Sequence, residues 1–190
     1  MHIKTIETDR LILRPFTEND LKAFFKIYSN EKINTYLPWY TVKTMDEAKQ
    51  FYEERYVNSK DYKYAICLKT DNVPIGYMHV CVDEHHDFGY GLLEEFWRQG
   101  IVSEAGRAVI EQAQKDGIPY ITATHDVNNP HSGYVMQACG LTYQYTYEEL
   151  WQPKNFLVNF RMYQLNFDGS DYVYKKYWDM YEKHYIEEKI

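Results

Sequence analysis

The sequence predicts an α/β domain with a mixed, mostly antiparallel central sheet flanked by helices, and with an appended C-terminal helix. Apolar runs of strand length alternate with stretches whose apolar residues recur at helical spacing, the mark of a layered α/β domain. Within that order, three consecutive short strands are separated only by polar turns, which implies an antiparallel meander. A helix, a strand, a helix and a hairpin follow, all within 190 residues, a length that fits one well-filled domain.

Leu11-Ile-Leu-Arg-Pro-Phe is a short apolar run closed by proline and predicts the first strand. Thr17-Glu-Asn-Asp is a capped helix start, and Leu21, Phe24, Phe25 and Tyr28 carry the helical period to about Ser29. Thr44-Met-Asp-Glu repeats the device before a second helix with Ala48, Phe51, Tyr52 and Arg55 on one face. Tyr36-Leu-Pro-Trp-Tyr lies between them as an aromatic loop. The meander follows, as strands from Tyr64, from Ile75 and over Asp87 to Leu92. A helix is predicted from about Val102 to Lys115, closed by Gly117 and Pro119. Tyr120 to Asp126 is a strand, and Asn128-Asn-Pro opens another helix with asparagine at the cap and proline just inside. Gln144 to Trp151 and Asn155 to Asn166 form a hairpin around Pro153.

The tail differs in character. Val173, Tyr174, Tyr177, Trp178, Met180, Tyr181, His184 and Tyr185 form a wide aromatic stripe at helical spacing. A stripe that wide is expected to pack on protein, either its own domain or, by a slight preference, a second copy in a homodimer. The division is therefore residues 1–167 as the main domain and 168–190 as an aromatic-rich helical tail.

A formal net charge of -7 excludes the broad basic face that nucleic-acid binding needs. No run approaches the roughly 20 apolar residues of a membrane span, and the amino terminus lacks a signal-peptide core, so a cytoplasmic protein is expected. Cys67, Cys81 and Cys139 lie far apart in apolar stretches and read as buried small hydrophobes. The 20 tyrosines are the anomaly: they crowd into 36–64, 134–147, 151–163 and the tail, more than a core of this size requires.

Four local patterns stand in order: Thr8-Asp-Arg-Leu-Ile-Leu-Arg-Pro-Phe, Gly89-Tyr-Gly-Leu, Trp97-Arg-Gln-Gly-Ile-Val-Ser-Glu-Ala, and Asn129-Pro-His-Ser followed by Cys139-Gly-Leu. Together they resemble the GNAT superfamily of acyl-coenzyme A-dependent N-acetyltransferases over about residues 5–166. Within it, the chain looks like the branch of ribosomal-protein alanine and serine N-acetyltransferases. The resemblance implies the GNAT fold, acetyl-coenzyme A as cosubstrate without a metal, and a primary amine as acceptor: a protein N-terminus, a polyamine or a small molecule. By the resemblance, Arg98, Gln99, Gly100, Ile101, Val102 and Ser103 form the turn that cradles pyrophosphate. The physics agrees: the first amides of a helix lack intrahelical acceptors and carry the positive end of the helix dipole, and glycine lets the backbone approach. Arg98 and Val102 replace the family's usual small residues.

The resemblance also assigns the end of the preceding strand, Gly91, Leu92 and Leu93, to the pantetheine arm, with Gly91 standing where an aromatic is usual and opening room beside the thioester. Amine acetylation needs a neutral amine near the carbonyl, donors for the oxyanion and a proton for the leaving thiolate. Backbone amides near Tyr90 and Gly91 are the expected oxyanion donors. The family's usual tyrosine donor is replaced by Met136, and Ser132, one turn earlier, is the alternative hydroxyl. Asn129 is the match for the pantetheine amide contact; for both Asn129 and Ser132, helix capping is the competing role. Asp87 is the candidate base, with Glu149, His79 and His86 as alternatives. Tyr36, Trp39 and Tyr40 are expected to line the acceptor pocket, holding a flat or cationic amine against rings. A metal site at Glu84-His-His-Asp is disfavoured because strand neighbours point to opposite faces. Two other functions fit the chain: an acyl-coenzyme A-binding module without turnover, and an interaction protein acting through its aromatic tail.

Overall fold

The computed structural model describes residues 3–190. A short strand β1 (Ile6–Glu7) and β2 (Leu11–Arg14) lead into α1 (Leu21–Tyr28), whose entry is the expected capping box between Thr17 and Asp20. A one-turn helix α2 (Glu31–Asn34) follows, capped by the Asn30 side chain, which accepts from the amides of Lys32 and Ile33. Next comes α3 (Met45–Tyr52), capped by Thr44 and extended by a π turn over Glu53–Val57. The strands β3 (Tyr62–Leu68), β4 (Pro74–Val80) and β5 (Phe88–Leu92) are the meander. They are succeeded by α4 (Ile101–Lys115), β6 (Tyr120–Asp126), α5 (Pro130–Ala138), and the hairpin β7 (Thr142–Trp151) and β8 (Phe156–Asn166). The strand β1 and the helix α2 are too short to show a period in the sequence.

The strands do not form one continuous mixed sheet. One sheet runs β1-β2-β3-β4-β5 and the other begins β6-β8-β7, and every ladder in both is antiparallel. The two sheets meet only where Asp87 bridges Thr122 in parallel, with the Thr122 amide donating to the His86 carbonyl at 3.2 Å. Beyond that bridge β5 and β6 part, and each leaves an unpaired edge facing the gap. The parting is what creates the cleft described below.

The main core lies between the first sheet and its helices, where Phe24, Ile27 and Tyr28 of α1 and Ala105, Val109 and Ala113 of α4 are fully or almost fully buried. A second core explains much of the tyrosine excess. Tyr145, Tyr147, Trp151, Val158, Phe160 and Met162 cover one face of the β7–β8 hairpin, and Tyr174 of the tail closes over them.

The tail departs from the single helix its stripe predicts. Only α6 (Lys176–Met180) is helical, and β9 (His184–Tyr185) adds to the edge of β7. Side chains of the sheet capture its backbone: Gln164 accepts from the Tyr174 amide at 2.9 Å, and the Tyr145 hydroxyl donates to the Tyr174 carbonyl at 2.7 Å. These bonds and the ring packing outweigh helix propensity, which is a weak preference of under about 1 kcal/mol per residue. Tyr174, Tyr177, Trp178 and Tyr181 of the stripe therefore pack on the chain's own domain, while Met180 and Tyr185 stay exposed.

Candidate active site

The gap between β5 and β6 opens into a cleft of about 860 Å³ walled by β5, the start of α4, the start of α5, the Tyr36–Trp39 loop, β7 and the tail. Its floor is the edge of β5. In an antiparallel ladder, backbone groups point alternately to one neighbour and then the other. The Leu93 amide donates to the Ile75 carbonyl and the Cys81 amide to the Asp87 carbonyl, so odd-numbered residues of β5 bond to β4. The backbone groups of Phe88, Tyr90 and Leu92 consequently face the cleft. This corrects two expectations: the Gly91 amide is directed at β4, and Leu93 is buried and does not line the cleft.

Gly91 opens no room either. A Cβ there would lie 2.5 Å from the ring of Tyr77, its cross-strand partner, and one at Gly89 would lie 2.3 Å from the His79 ring. The two glycines are the spaces into which β4 lays those rings. Leu92 lines the cleft, and its carbonyl accepts from the Trp97 indole at 2.6 Å.

At one end of this floor stands α4. Gly100 holds φ +73° at its N-cap, a left-handed conformation glycine adopts without strain, and Arg98 holds φ +59° just before it. That position is where a small residue is the easier choice, since a side chain with φ above zero is strained. No side chain caps the helix, and its first i to i-4 bond is Glu104 amide to Gly100 carbonyl. The amides of Ile101, Val102 and Ser103 therefore have no intrahelical acceptor, and all three residues line the cleft. Gln99 does not line it; its carbonyl accepts from Arg10 at 3.0 Å. Arg10 also bonds Glu104 at 2.7 Å, and Thr8 donates to the same carboxylate at 2.5 Å. Burial works to raise the Glu104 carboxyl, but the bonds from Thr8 and Arg10 outweigh it and hold it below its ordinary range. Two of the four sequence patterns thus meet here, a contact no single pattern reveals.

Midway along the floor, the Tyr90 hydroxyl lies 2.8 Å from both the Ser132 carbonyl and the Ser132 Oγ. Burial pushes the Tyr90 phenol well above its ordinary range, against the opposing pull of Ser132. It stays a neutral donor. Met136 is buried beside them and carries no proton to give. Asn129 lines the cleft, half-buried, and its side chain makes no capping bond although it occupies the N-cap of α5. The structure therefore gives its amide group no capping role.

At the far end, Asp87 lies 3.7 Å from His79 Nε2, and both line the cleft. His86 is buried behind this end against Tyr120 and does not line it, which removes it from the candidate bases. Glu149 does line it; burial raises its carboxyl above the ordinary range, with the nearby Tyr181 hydroxyl pulling the other way. Tyr36 and Trp39 form the opposite wall, and the Tyr36 hydroxyl reaches the Asn128 carbonyl at 3.2 Å. Tyr40 is outside: it is 65% exposed, and its hydroxyl donates to the Pro153 carbonyl. Tyr147, Tyr177 and Tyr181 line the acceptor end without having been singled out as site residues. His125 was missed too, a buried cleft residue whose Nε2 has no partner among the described residues.

The segment from Cys81 to Asp87 is a turn, so strand alternation does not govern it. Ligand atoms of Cys81, Asp83 and His85 lie within 4.8 Å of one another. His85 Nδ1 accepts from the Asp87 amide, which puts the ring proton on Nε2, 3.1 Å from Asp83. Burial and the nearby carboxylates hold the Cys81 thiol well above its ordinary range.

No helix among the described residues is long and apolar enough to cross a membrane. Residues 10–142, more than half of the chain, match the model of the acetyltransferase (GNAT) domain. The N-acetyltransferase YoaA of Bacillus subtilis, itself uncharacterised, is 27% identical over 156 residues, spanning 75% of this chain and 88% of its own. An acetyltransferase of the GNAT family from Bacillus anthracis has the same fold, with a TM-score of 0.76 at 22% identity over 86% of this chain and 98% of that one. So does the microcin C7 self-immunity acetyltransferase MccE, solved with acetyl-coenzyme A and AMP, with a TM-score of 0.73 at 20% identity over 84% of this chain and 93% of that one. The chain belongs to the GNAT acetyltransferase family, and with it to the acetyl-coenzyme A-dependent acyltransferases.

Proposed function

We propose that the protein acetylates a primary amine by direct attack of the amine on the thioester of acetyl-coenzyme A, with no covalent enzyme intermediate. The observation that carries this reading is the order of groups along one free strand edge: unsatisfied helix amides, then the Tyr90–Ser132 pair, then a carboxylate beside a histidine. The amides of α4 fit a pyrophosphate, and Gly100 supplies the left-handed turn before them, where a side chain would strain the backbone at φ +73°. The cleft-facing backbone groups of Tyr90 and the Leu92 amide fit an extended amide-bearing arm, the Leu92 carbonyl being taken by the Trp97 indole, and the Asn129 side chain completes that contact. Acetyl-coenzyme A supplies the activated acyl group.

The chain's own residues do the rest. Asp87, assisted by His79 or a water, takes a proton from the incoming ammonium, leaving a neutral nucleophile. The Tyr90 amide faces the cleft and donates to the carbonyl oxygen as charge gathers there. Ser132 gives its proton to the sulfur as the carbon–sulfur bond breaks, and the serine oxygen takes back the second proton that the attacking nitrogen loses on becoming an amide, while Tyr90 stays protonated and steadies that oxygen. The amine proton leaves by Asp87 to solvent, so the net reaction releases one thiol, one amide and one proton.

Thiol release measured over a panel of amines tests this. Amine-dependent release is the expected result. A protein that coenzyme A stabilises against heat but that releases no thiol with any amine would instead be a binding module. The tail's rings Tyr174, Tyr177 and Tyr181 are directed onto the chain's own sheet, with Tyr174 only 1% exposed, whereas Met180, Tyr185 and Ile186 are exposed and would be the surface of the second reading, an interaction protein acting through its tail.

A further inference from the structure

Along β7, Tyr147, Glu149 and Trp151 alternate onto one face, and all three line the cleft. The tail builds on that face. Tyr177 and Tyr181 both stack on Tyr147, with ring centroids 5.1 Å apart in each pair and interplanar angles of 14° and 11°. The tail lies outside residues 10–142, which match the family model.

Glu149 stands apart from three other partly buried carboxylates. The partly buried acids Asp20, Glu104 and Glu187 are each paired with an arginine, at 2.7, 2.7 and 2.6 Å. Glu149 is half-buried and has no cation acting on it, only the Tyr181 hydroxyl and the surrounding rings. Asp87 lines the same cleft as Glu149, Tyr147 and Tyr177. Two carboxylates therefore flank one stack of rings, and a carboxylate left this way is satisfied most cheaply by a cation from outside. Helix amides and Arg98 occupy the opposite end of the cleft, so its charge is sorted along its length: positive at α4, negative under the tail.

We propose that Glu149 and the tail rings Tyr177 and Tyr181 form a subsite for a second cationic centre of the acceptor, so that the enzyme selects a diamine over a monoamine of the same length. This rests on the reading of the Asp87 end as the amine site. One ammonium sits at Asp87 to react, and the other lies against the rings at Glu149 to orient the molecule. Glu149 is then a binding residue that touches substrate, leaving proton removal to Asp87.

Equilibrium binding tests this in the complex with coenzyme A, which has no acetyl group to transfer. The probes are α,ω-diamines of three to six carbons, the matching monoamines, and 2-phenylethylamine as an aromatic monoamine. The wild-type protein is expected to bind the best diamine at least about tenfold more tightly than its monoamine, the scale of one charge-assisted contact. Glu149→Gln and, separately, Tyr181→Leu should each shrink that ratio to about threefold or less. Coenzyme A affinity, measured on each variant, reports folding and is expected to persist.

Equal binding of diamine and monoamine by the wild type would overturn the proposal. So would an equal loss for both in Glu149→Gln, or 2-phenylethylamine binding as tightly as the diamine, which would mean that ring stacking and not charge selects the acceptor. Because no turnover is involved, a binding result stands whether or not thiol release is later found. Absence of turnover would sink only the reading of the protein as a transferase.

Discussion

Tyr90 has one proton and two acceptors within 2.8 Å, the carbonyl and the Oγ of Ser132. When it donates to the carbonyl, Ser132 must direct its own proton at Tyr90; when it donates to Oγ, the serine proton is free to face the cleft. Only the second arrangement can protonate a leaving sulfur. Ser132→Ala is accordingly expected to lower turnover roughly ten- to a hundredfold, on the low side of the range for general acids because water can substitute in part, while coenzyme A affinity changes little. Asn129→Ala should do the reverse, weakening coenzyme A binding. Turnover and affinity measured for both variants check this, and full activity in Ser132→Ala would leave Tyr134 or solvent as the donor. A second residue-scale test concerns Gly91. The Cβ of Gly91→Ala would meet the buried Tyr77 ring at 2.5 Å, so thermal unfolding should show a loss of about 1–3 kcal/mol, the usual cost of overpacking. An unchanged melting temperature would mean that the ring yields freely. The sequence shows a glycine out of place at Gly91, but not what fills its space, because the cross-strand partner depends on a register that only the paired strands define. That Ser132 and Asp87 line the cleft was legible from the family resemblance; that Tyr147 and Tyr177 do was not, because nothing in a tyrosine-rich stretch distinguishes a cleft wall from a core.

At the scale of elements, the start of α4 concentrates the most specific physics. Its amides are unsatisfied, its first-turn acid Glu104 is turned away onto Thr8 and Arg10, and Gly100 leaves the approach open. A carboxylate in the first turn of a helix would ordinarily repel a bound phosphate; the arginine beside it offsets that charge. Gly100→Asp should place a negative side chain at the anion site, in a backbone conformation that side chains resist. Coenzyme A is expected to raise the melting temperature of the wild type by mass action and to leave Gly100→Asp unshifted. A folded variant stabilised as much as the wild type would relocate the phosphate site. The long elements, α1, α3, α4 and the strands of the meander, were readable because caps and apolar periods agree along each of them. The tail was misread for a reason that applies generally: Val173 to Tyr185 has helical spacing, but Gln164 and Tyr145 of the sheet bond its backbone in an extended path, and such partners lie outside any local window.

Over the whole molecule, two cores share one cleft. The first sheet and its helices form the larger core, and the second depends on residues that arrive last in the chain, Tyr174 from above and β9 along the edge of β7. What fastens this end is Glu187, which accepts from Arg161 at 2.9 and 2.6 Å and from Thr146 at 2.6 Å. The Arg161 guanidinium, together with Thr146, holds the Glu187 carboxyl below its ordinary value of 4.5 against the effect of burial. A carboxyl whose folded value is depressed binds its proton more weakly folded than unfolded. Its contribution is therefore complete above about pH 4.5 and is lost as the pH falls through the lower folded value. Because both side chains are partly exposed, the latch is worth about 1–2 kcal/mol, enough to hold a strand of two residues but not to hold the fold. Protection of the amides of β9 and α6, taken relative to the intrinsic exchange rate at each pH, should thus be high at neutral pH and fall below pH 4.5, ahead of protection in β3 and β4. In Glu187→Gln it should be low at neutral pH already, with no step on acidification. The same variant should weaken discrimination between diamine and monoamine, since the rings of Tyr177 and Tyr181 lose their anchor, while coenzyme A binds as before at the distant start of α4. Slow tail exchange in Glu187→Gln would show that the ring stack on Tyr147 holds the tail without the latch.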